Sequence, residues 1–229
     1  MILAGAFSDA LRFIADNPGL LAQKALEQIE LSAAALGIGL AVALPLGIVL
    51  GHLHRGSSLA IGSSIVGRAL PSLVLIGVFL TVLGIGFVNN MVALAVLATG
   101  PILTNSFDGV DRVDRDAVEA ARGTGMTGAQ ILRRVELPLA LPLLFTGLRV
   151  AAVTVVATAP IAAIAGGGGL GDVIVNQASY RLSGVIGASI CVMILSAGVF
   201  VLLLGVQAAV TPRGVRLSRV RSPRRKELR

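Results

Sequence analysis

Residues 119–138 read EAARGTGMTGAQILRRVELP, and GTGMTG at 123–128 matches the Gly-x-Gly-x-x-Gly spacing of dinucleotide-binding loops. Such a loop needs a strand before its glycines, a helix after them and an acid roughly 20 positions downstream. Here DRDAVEAAR at 114–122 is charged and helix-forming, and the helix-favouring AQILRRVEL follows at 129–137. The downstream region is a hydrophobic run without an acid, so the nucleotide reading fails on context. A second literal match at Gly166, Gly168 and Gly171 has no better context, and no Gly-Lys-Ser/Thr phosphate loop occurs.

The chain around this stretch is built for lipid. Of 229 residues 55% are hydrophobic and 14% charged, with a mean hydropathy of +0.89. No Asp, Glu, Lys or Arg lies between Glu30 and Arg55, Arg68 and Asp108, Arg149 and Asp172, or Arg181 and Arg213. About 20 apolar residues of helix cross the hydrocarbon core. The second gap accommodates two spans divided by a polar turn at Asn89-Asn90. The expectation is an all-α integral membrane protein with five transmembrane helices, near 31–52, 68–88, 91–108, 143–165 and 183–210. Their Gly and Pro residues are common in spanning helices, where small residues permit close packing.

Basic residues concentrate in cytoplasmic loops. With the C-terminus inside and the N-terminus outside, sixteen of the nineteen Lys and Arg face the cytoplasm, leaving Arg12, Lys24 and Arg181 outside. Eight of them lie in the tail 212–229, which reads as a topology anchor at the anionic inner leaflet and not as a nucleic-acid-binding segment. The N-terminal 30 residues lack a basic leader and a long apolar core, so they read as mature sequence. Ser8-Asp9 is expected to cap a short helix ended by Asn17-Pro18-Gly19, and 20–30 to form an amphipathic elbow on the outer surface. Cys191, the single cysteine, reads as a small buried hydrophobe. A permease domain over 31–211 then holds a cytoplasmic loop at about 109–142, with two short helices joined at GTGMTG. A loop of that length with helical propensity reads as a docking surface.

Glu119-Ala120-Ala121, three residues, Gly125, nine residues, then Val135-Glu136-Leu137-Pro138 resembles the EAA loop of permease subunits in binding-protein-dependent ABC importers. Val135 stands where that family usually has Ile. The resemblance implies the type I ABC importer permease fold and a coupling loop comprising Glu119, Ala120, Ala121, Gly123, Gly125, Val135, Leu137 and Pro138. In the family this loop enters a cleft of a cytoplasmic ATPase subunit, so ATP is used by the partner and no cofactor is bound directly. The residue types fit. Ala120 and Ala121 allow close approach to a partner surface, Gly125 takes the positive φ that joins two helices, and Pro138 is expected to stop the second helix. Glu119 offers a carboxylate to a basic group or a helix N-terminus.

ALPSLVLIGVFLTVLGIGFV at 69–88, GPILTNSFDGVDRVD at 100–114 and GGGGLGD at 166–172 resemble, more narrowly, permeases of osmoprotectant importers for glycine betaine, choline or carnitine. Methionine permeases share the EAA loop and remain the alternative substrate class. The run Gly166–Gly169 replaces the family's usual Gly-Ala-Gly-Gly, and Pro160 is unusual at its position. The chain has no Trp, one Tyr and seven Phe, too few for an evident aromatic cage around a quaternary amine. Selectivity is therefore expected in a separate extracytoplasmic binding protein. It would meet an outer gate at Gly168, Gly169, Leu170, Gly171, Asp172, Tyr180 and Arg181.

Pro71, Ser72, Asn105, Thr154 and Thr158, with Thr81, are candidates to line the path, against the commoner role of polar side chains that bond to helix carbonyls. Arg68 and Arg149 read as residues that snorkel to the interface. His52 and His54, two apart on a helix, point to different faces and do not suggest a metal site. Five helices seldom enclose a gated path alone, so a second permease, identical or homologous, is an expected partner, with membrane lipid around both. A self-contained secondary transporter is the competing class, but it lacks intramembrane acids and inverted repeats. No nucleophile, metal cluster or carboxylate pair suggests an enzyme.

Overall fold

The structure is a computed structural model that describes residues 2–58, 60, 62 and 71–211. Arg68, the start of the span expected over 68–88, and the basic tail 212–229 lie outside the described residues. The described part is helical. Helix α1 spans Ile2–Asp16, α2 Pro18–His52, α3 Ser72–Leu83 and α4 Phe87–Asp111. The loop helices α5 (Arg115–Gly123) and α6 (Gly128–Ile131) follow, then a π-turn, Leu132–Glu136, that runs into α7 (Leu137–Thr158). A 3-10 segment, Ala159–Ala165, leads to the short α8 (Leu170–Val175) and to α9 (Gln177–Val210).

Among the described residues α2, α4, α9 and the α6-to-3-10 run Gly128–Ala165 are long and apolar enough to cross a membrane. Helix α3 is a shorter apolar helix of 12 residues, about 18 Å at 1.5 Å per residue against a hydrocarbon core of roughly 30 Å.

The centre of the bundle is α2 against α4. Along α2 the buried positions Ala35, Gly39, Ala43, Gly47 and Gly51 recur every four residues and make one stripe without bulk. A Cβ on Gly47 would stand 2.7 Å from Ser106 Cβ and 2.8 Å from the Leu103 carbonyl oxygen. One on Gly51 would stand 2.8 Å from the Phe107 carbonyl oxygen. The two backbones touch where the side chains are missing, as spanning helices pack when lipid removes the hydrophobic drive between them. Gly147 on α7 meets Pro101 and Asn105 of α4 the same way. Leu31, Leu94, Ile102, Ala151 and Val155 fill the core between these helices. A second core, Leu21, Leu170, Val173, Ala188 and Val192, gathers α8 and α9 on the start of α2.

Four local expectations are corrected. Asn89-Asn90 do not form the turn that divides two spans. Gly84 and Gly86, at φ +75° and +134°, make the break, and both asparagines are buried in the first turn of α4. Asn90 Nδ2 donates to the Gly86 and Ala165 carbonyls, which ties this corner to the 3-10 segment. Residues 20–30 are not a separate elbow, because α2 runs through them without interruption from Pro18. Pro138 does not stop a helix. It lies in the first turn of α7, and the π-turn Leu132–Glu136 carries the helical backbone into it without a break. At the N-terminus, α1 begins at Ile2, before Ser8-Asp9, and ends at Asp16 before Asn17-Pro18. Ala10, Phe13 and Ile14 of α1 pack on Gly184 and Gly187 of α9.

Candidate coupling loop and glycine gate

The glycines of GTGMTG close a helix. The Met126 N–H donates to the Ala121 carbonyl and the Gly125 N–H to the Arg122 carbonyl, the two nested bonds of a Schellman stop. Gly125 takes the left-handed backbone that this stop requires, at φ +83°. Thr127 then caps the next helix. Its Oγ1 accepts from the Gln130 N–H at 3.4 Å while its own N–H donates to Gln130 Oε1 at 2.8 Å, a reciprocal capping box. Asp114 caps the preceding helix by accepting from the Asp116 N–H. The junctions of this loop are thus specified by residues within it, two side-chain caps and one glycine.

Glu119, Ala120, Gly123 and Gly125 are exposed, Val135, Leu137 and Pro138 half-buried. Ala121 is buried within the chain itself, so of the two alanines only Ala120 presents a small side chain outward. A cavity of about 320 Å³ under α5 is lined by His54, Val110, Arg115, Glu119, Arg122 and Glu136, among others. Sequence reasoning did not select Glu136, His52 or His54 as functional residues. His52 Nδ1 lies 2.6 Å from Glu136 Oε2, and His54 Nδ1 lies 2.7 Å from Asp111 Oδ1. The histidines face separate carboxylates, one on the loop and one at the end of α4. An available signal was an acid one residue before an apolar run, since a carboxylate there requires a partner.

The glycine-rich turn sits at the opposite end of α2. Gly166, Gly168 and Gly169 have φ of +72°, +70° and +77°. Gly169 abuts Gln28, where a Cβ would stand 3.1 Å from Gln28 Cβ, and its N–H donates to Glu27 Oε2 at 3.0 Å. Lys24 Nζ bridges Glu27 Oε2 at 2.8 Å and Asp172 Oδ2 at 2.6 Å. Gln28 is buried and donates to the Val156 carbonyl. Leu170 is fully buried and Gly171 packs on Pro160 and Ala163. Lys24, Asp172, Asn176 and Tyr180 border one cavity of about 330 Å³. Tyr180 stacks edge-on against Phe13. Arg181, at φ +56°, marks a kink in α9 and borders a different cavity with Asp9. From Lys24 to His52 along α2 is about 42 Å at helical rise, so the loop and the glycine turn occupy the two ends of one helix.

The candidate path residues are dispersed. Pro71 and Ser72 begin α3. Asn105 stands at the α4–α7 contact with its Nδ2 donating to the Pro101 carbonyl. Thr154 is exposed on α7, Thr158 ends that helix, and Thr81 donates to the Val78 carbonyl. Among the described residues no hydrogen bond joins any two of them. The Arg149 guanidinium lies 5.3 Å over the Phe200 ring, between α7 and α9, a cation–π arrangement.

Residues 43–216 match the family model described as the binding-protein-dependent transport system inner membrane component. Over 206 residues the chain is 35% identical to the glycine betaine/carnitine/choline transport system permease protein OpuCB of Bacillus subtilis. It is 36% identical to the choline transport system permease protein OpuBB of the same organism. Each alignment covers 90% of this chain and 95% of the relative. Among solved structures, a chain of the inward-facing MetNI methionine ABC transporter superposes with a TM-score of 0.70 at 22% identity, covering 82% of this chain and 94% of the other.

Proposed function

The chain belongs to the binding-protein-dependent transport system inner membrane components, multi-pass membrane proteins, and from that premise we propose that it is the permease subunit of an ABC importer for osmoprotectants such as glycine betaine, choline or carnitine. The observation that carries the substrate class is identity of 35% and 36% to permeases named for those solutes, over nine tenths of the chain. The methionine transporter shares the fold at 22% identity, which speaks for architecture alone.

In this reading the chain has no hydrolytic role. A cytoplasmic ATPase subunit receives Glu119, Ala120 and the exposed turn at Gly123 and Gly125, and uses the ATP. Val135, Leu137 and Pro138 join that loop to α7. Supporting this, the loop presents the charged helix α5 and the capped helix α6 at its end of the bundle, and its backbone is specified by its own residues. A second permease copy or homologue completes the path, to which Pro71, Ser72, Asn105, Thr154 and Thr158 contribute. A separate extracytoplasmic binding protein delivers solute at the turn 168–172 with Tyr180 and Arg181. In this reading the N-terminus is outside and the C-terminus cytoplasmic, the orientation that the basic-residue bias supports.

The test is reconstitution of the chain with its ATPase and binding protein in vesicles. ATP-dependent accumulation of labelled choline or glycine betaine, undiminished by excess methionine, is the expected result. Accumulation of methionine instead would reject the substrate class.

A further inference from the structure

Glu136 is the one buried residue of charged type among the described residues, at 3% exposure. A carboxylate held out of water is costly unless a hydrogen-bonded partner offsets its lost hydration. His52 provides that partner at 2.6 Å, 84 residues away in sequence. It is the last residue of α2, and Glu136 is the last residue of the π-turn that joins the loop to α7. The same imidazole abuts the loop a second time, since a Cβ on Gly128, the first residue of α6, would stand 3.5 Å from His52 Nε2. Beneath it, Gly51 packs closely on Phe107 and Val110, and His54, just past the end of α2, pairs with Asp111, so this end of α2 lies tight against the end of α4.

From this geometry we infer that His52 and Glu136 form a positioning pair that transmits displacement of the loop to α2, and along α2 to the glycine turn held by Lys24, Glu27 and Gln28. This rests on the reading of the loop as the ATPase docking element. The pair touches neither solute nor nucleotide. It makes the loop and α2 move as one body. Without it the loop, whose α5 arm is otherwise attached chiefly through Ala121, can follow the ATPase while α2 stays behind.

The experiment uses the complex with its ATPase and binding protein in vesicles, and reads solute transported per ATP hydrolysed for wild type, Glu136→Ala, His52→Ala, the double variant and His52→Asn. Each of the two disruptive single variants is expected to lower the ratio about tenfold while the ATPase still co-purifies, and the double variant to be no worse than either. His52→Asn, which keeps an N–H donor where Nδ1 stood, is expected to stay within about twofold of wild type. Single variants with the wild-type ratio, a double variant losing the product of the two single losses, or His52→Asn failing as badly as His52→Ala overturns the pair. Failure of the underlying reading looks different. In that case the wild-type chain does not co-purify with the ATPase, or Gly125→Val leaves coupling intact. If Gly125→Val uncouples and the His52 and Glu136 variants are silent, the pair alone is rejected.

Discussion

Lys24 Nζ sits 2.6 Å from Asp172 Oδ2 and so ties the first turns of α2 to the start of α8, 148 residues further along the chain. The bond is reinforced by Glu27, whose carboxylate serves both Lys24 and the Gly169 N–H. Because the ion pair is partly exposed, at 19% and 36% of the two side chains, its net worth is small, about 1 kcal/mol or less. Lys24→Gln and Asp172→Asn are therefore expected to lower thermal stability in detergent slightly and to show coupling of that size in a double-mutant cycle. Coupling of several kcal/mol contradicts this account.

The stripe of small residues on α2 predicts a contrast between two glycines of one helix. Gly47→Ala places a methyl group against Ser106 and the Leu103 carbonyl, and forces α2 from α4; overpacking of this kind costs about 1–3 kcal/mol. A methyl group added at Gly37 would meet nothing within 4 Å, so Gly37→Ala is expected to be neutral, or stabilising by up to about 1 kcal/mol through reduced chain entropy. Thermal unfolding of the two purified variants decides it, and equal midpoints would refute the packing argument.

Asn90 offers a third test. Its side-chain amide donates to the Gly86 and Ala165 carbonyls at a buried corner; the backbone N–H groups of Asn90 and Gly86 still donate to those carbonyls without it, so its removal loses two hydrogen bonds, at a cost of about 1–3 kcal/mol. Asn90→Ala is expected to destabilise by that amount in thermal unfolding. Thr81→Val, whose exposed hydroxyl bonds only within its own helix, is expected to change stability by less than about 0.5 kcal/mol.

What the sequence disclosed, and what it hid, follows from the range of each interaction. Charge-free runs located the long helices because lipid imposes a length on them, and Gly125 disclosed the joint between the loop helices because a helix stop acts within a few residues. Asn89-Asn90 misled because polarity was equated with exposure. These amides are buried, and the bonds of Asn90 reach Ala165, 75 residues away. Pro138 misled because the π-turn before it carries the helical backbone on into α7, a local widening that sequence spacing does not announce. The pairing of His52 with Glu136 is invisible to either residue's neighbours in sequence, because it is a product of the α2–α4–α7 packing.

Gly125 has open space around its Cα and a φ of +83°, so substitutions there act through backbone strain and not through clashes. A non-glycine residue in the left-handed region costs roughly 1–2 kcal/mol, least for Asn. Gly125→Asn is expected to keep most transport and Gly125→Val to lose it, with membrane insertion equal in both. Equal uptake by the two variants would show that the turn's conformation is not what matters.

The most direct test of the central claim is uptake of labelled glycine betaine and choline at high osmolarity, in cells lacking this chain and supplied with the wild type or with Gly125→Val. Uptake restored by the wild type alone, with both proteins inserted at equal levels, is the predicted result. No uptake of either solute with the wild type inserted, or equal uptake with Gly125→Val, would contradict the account.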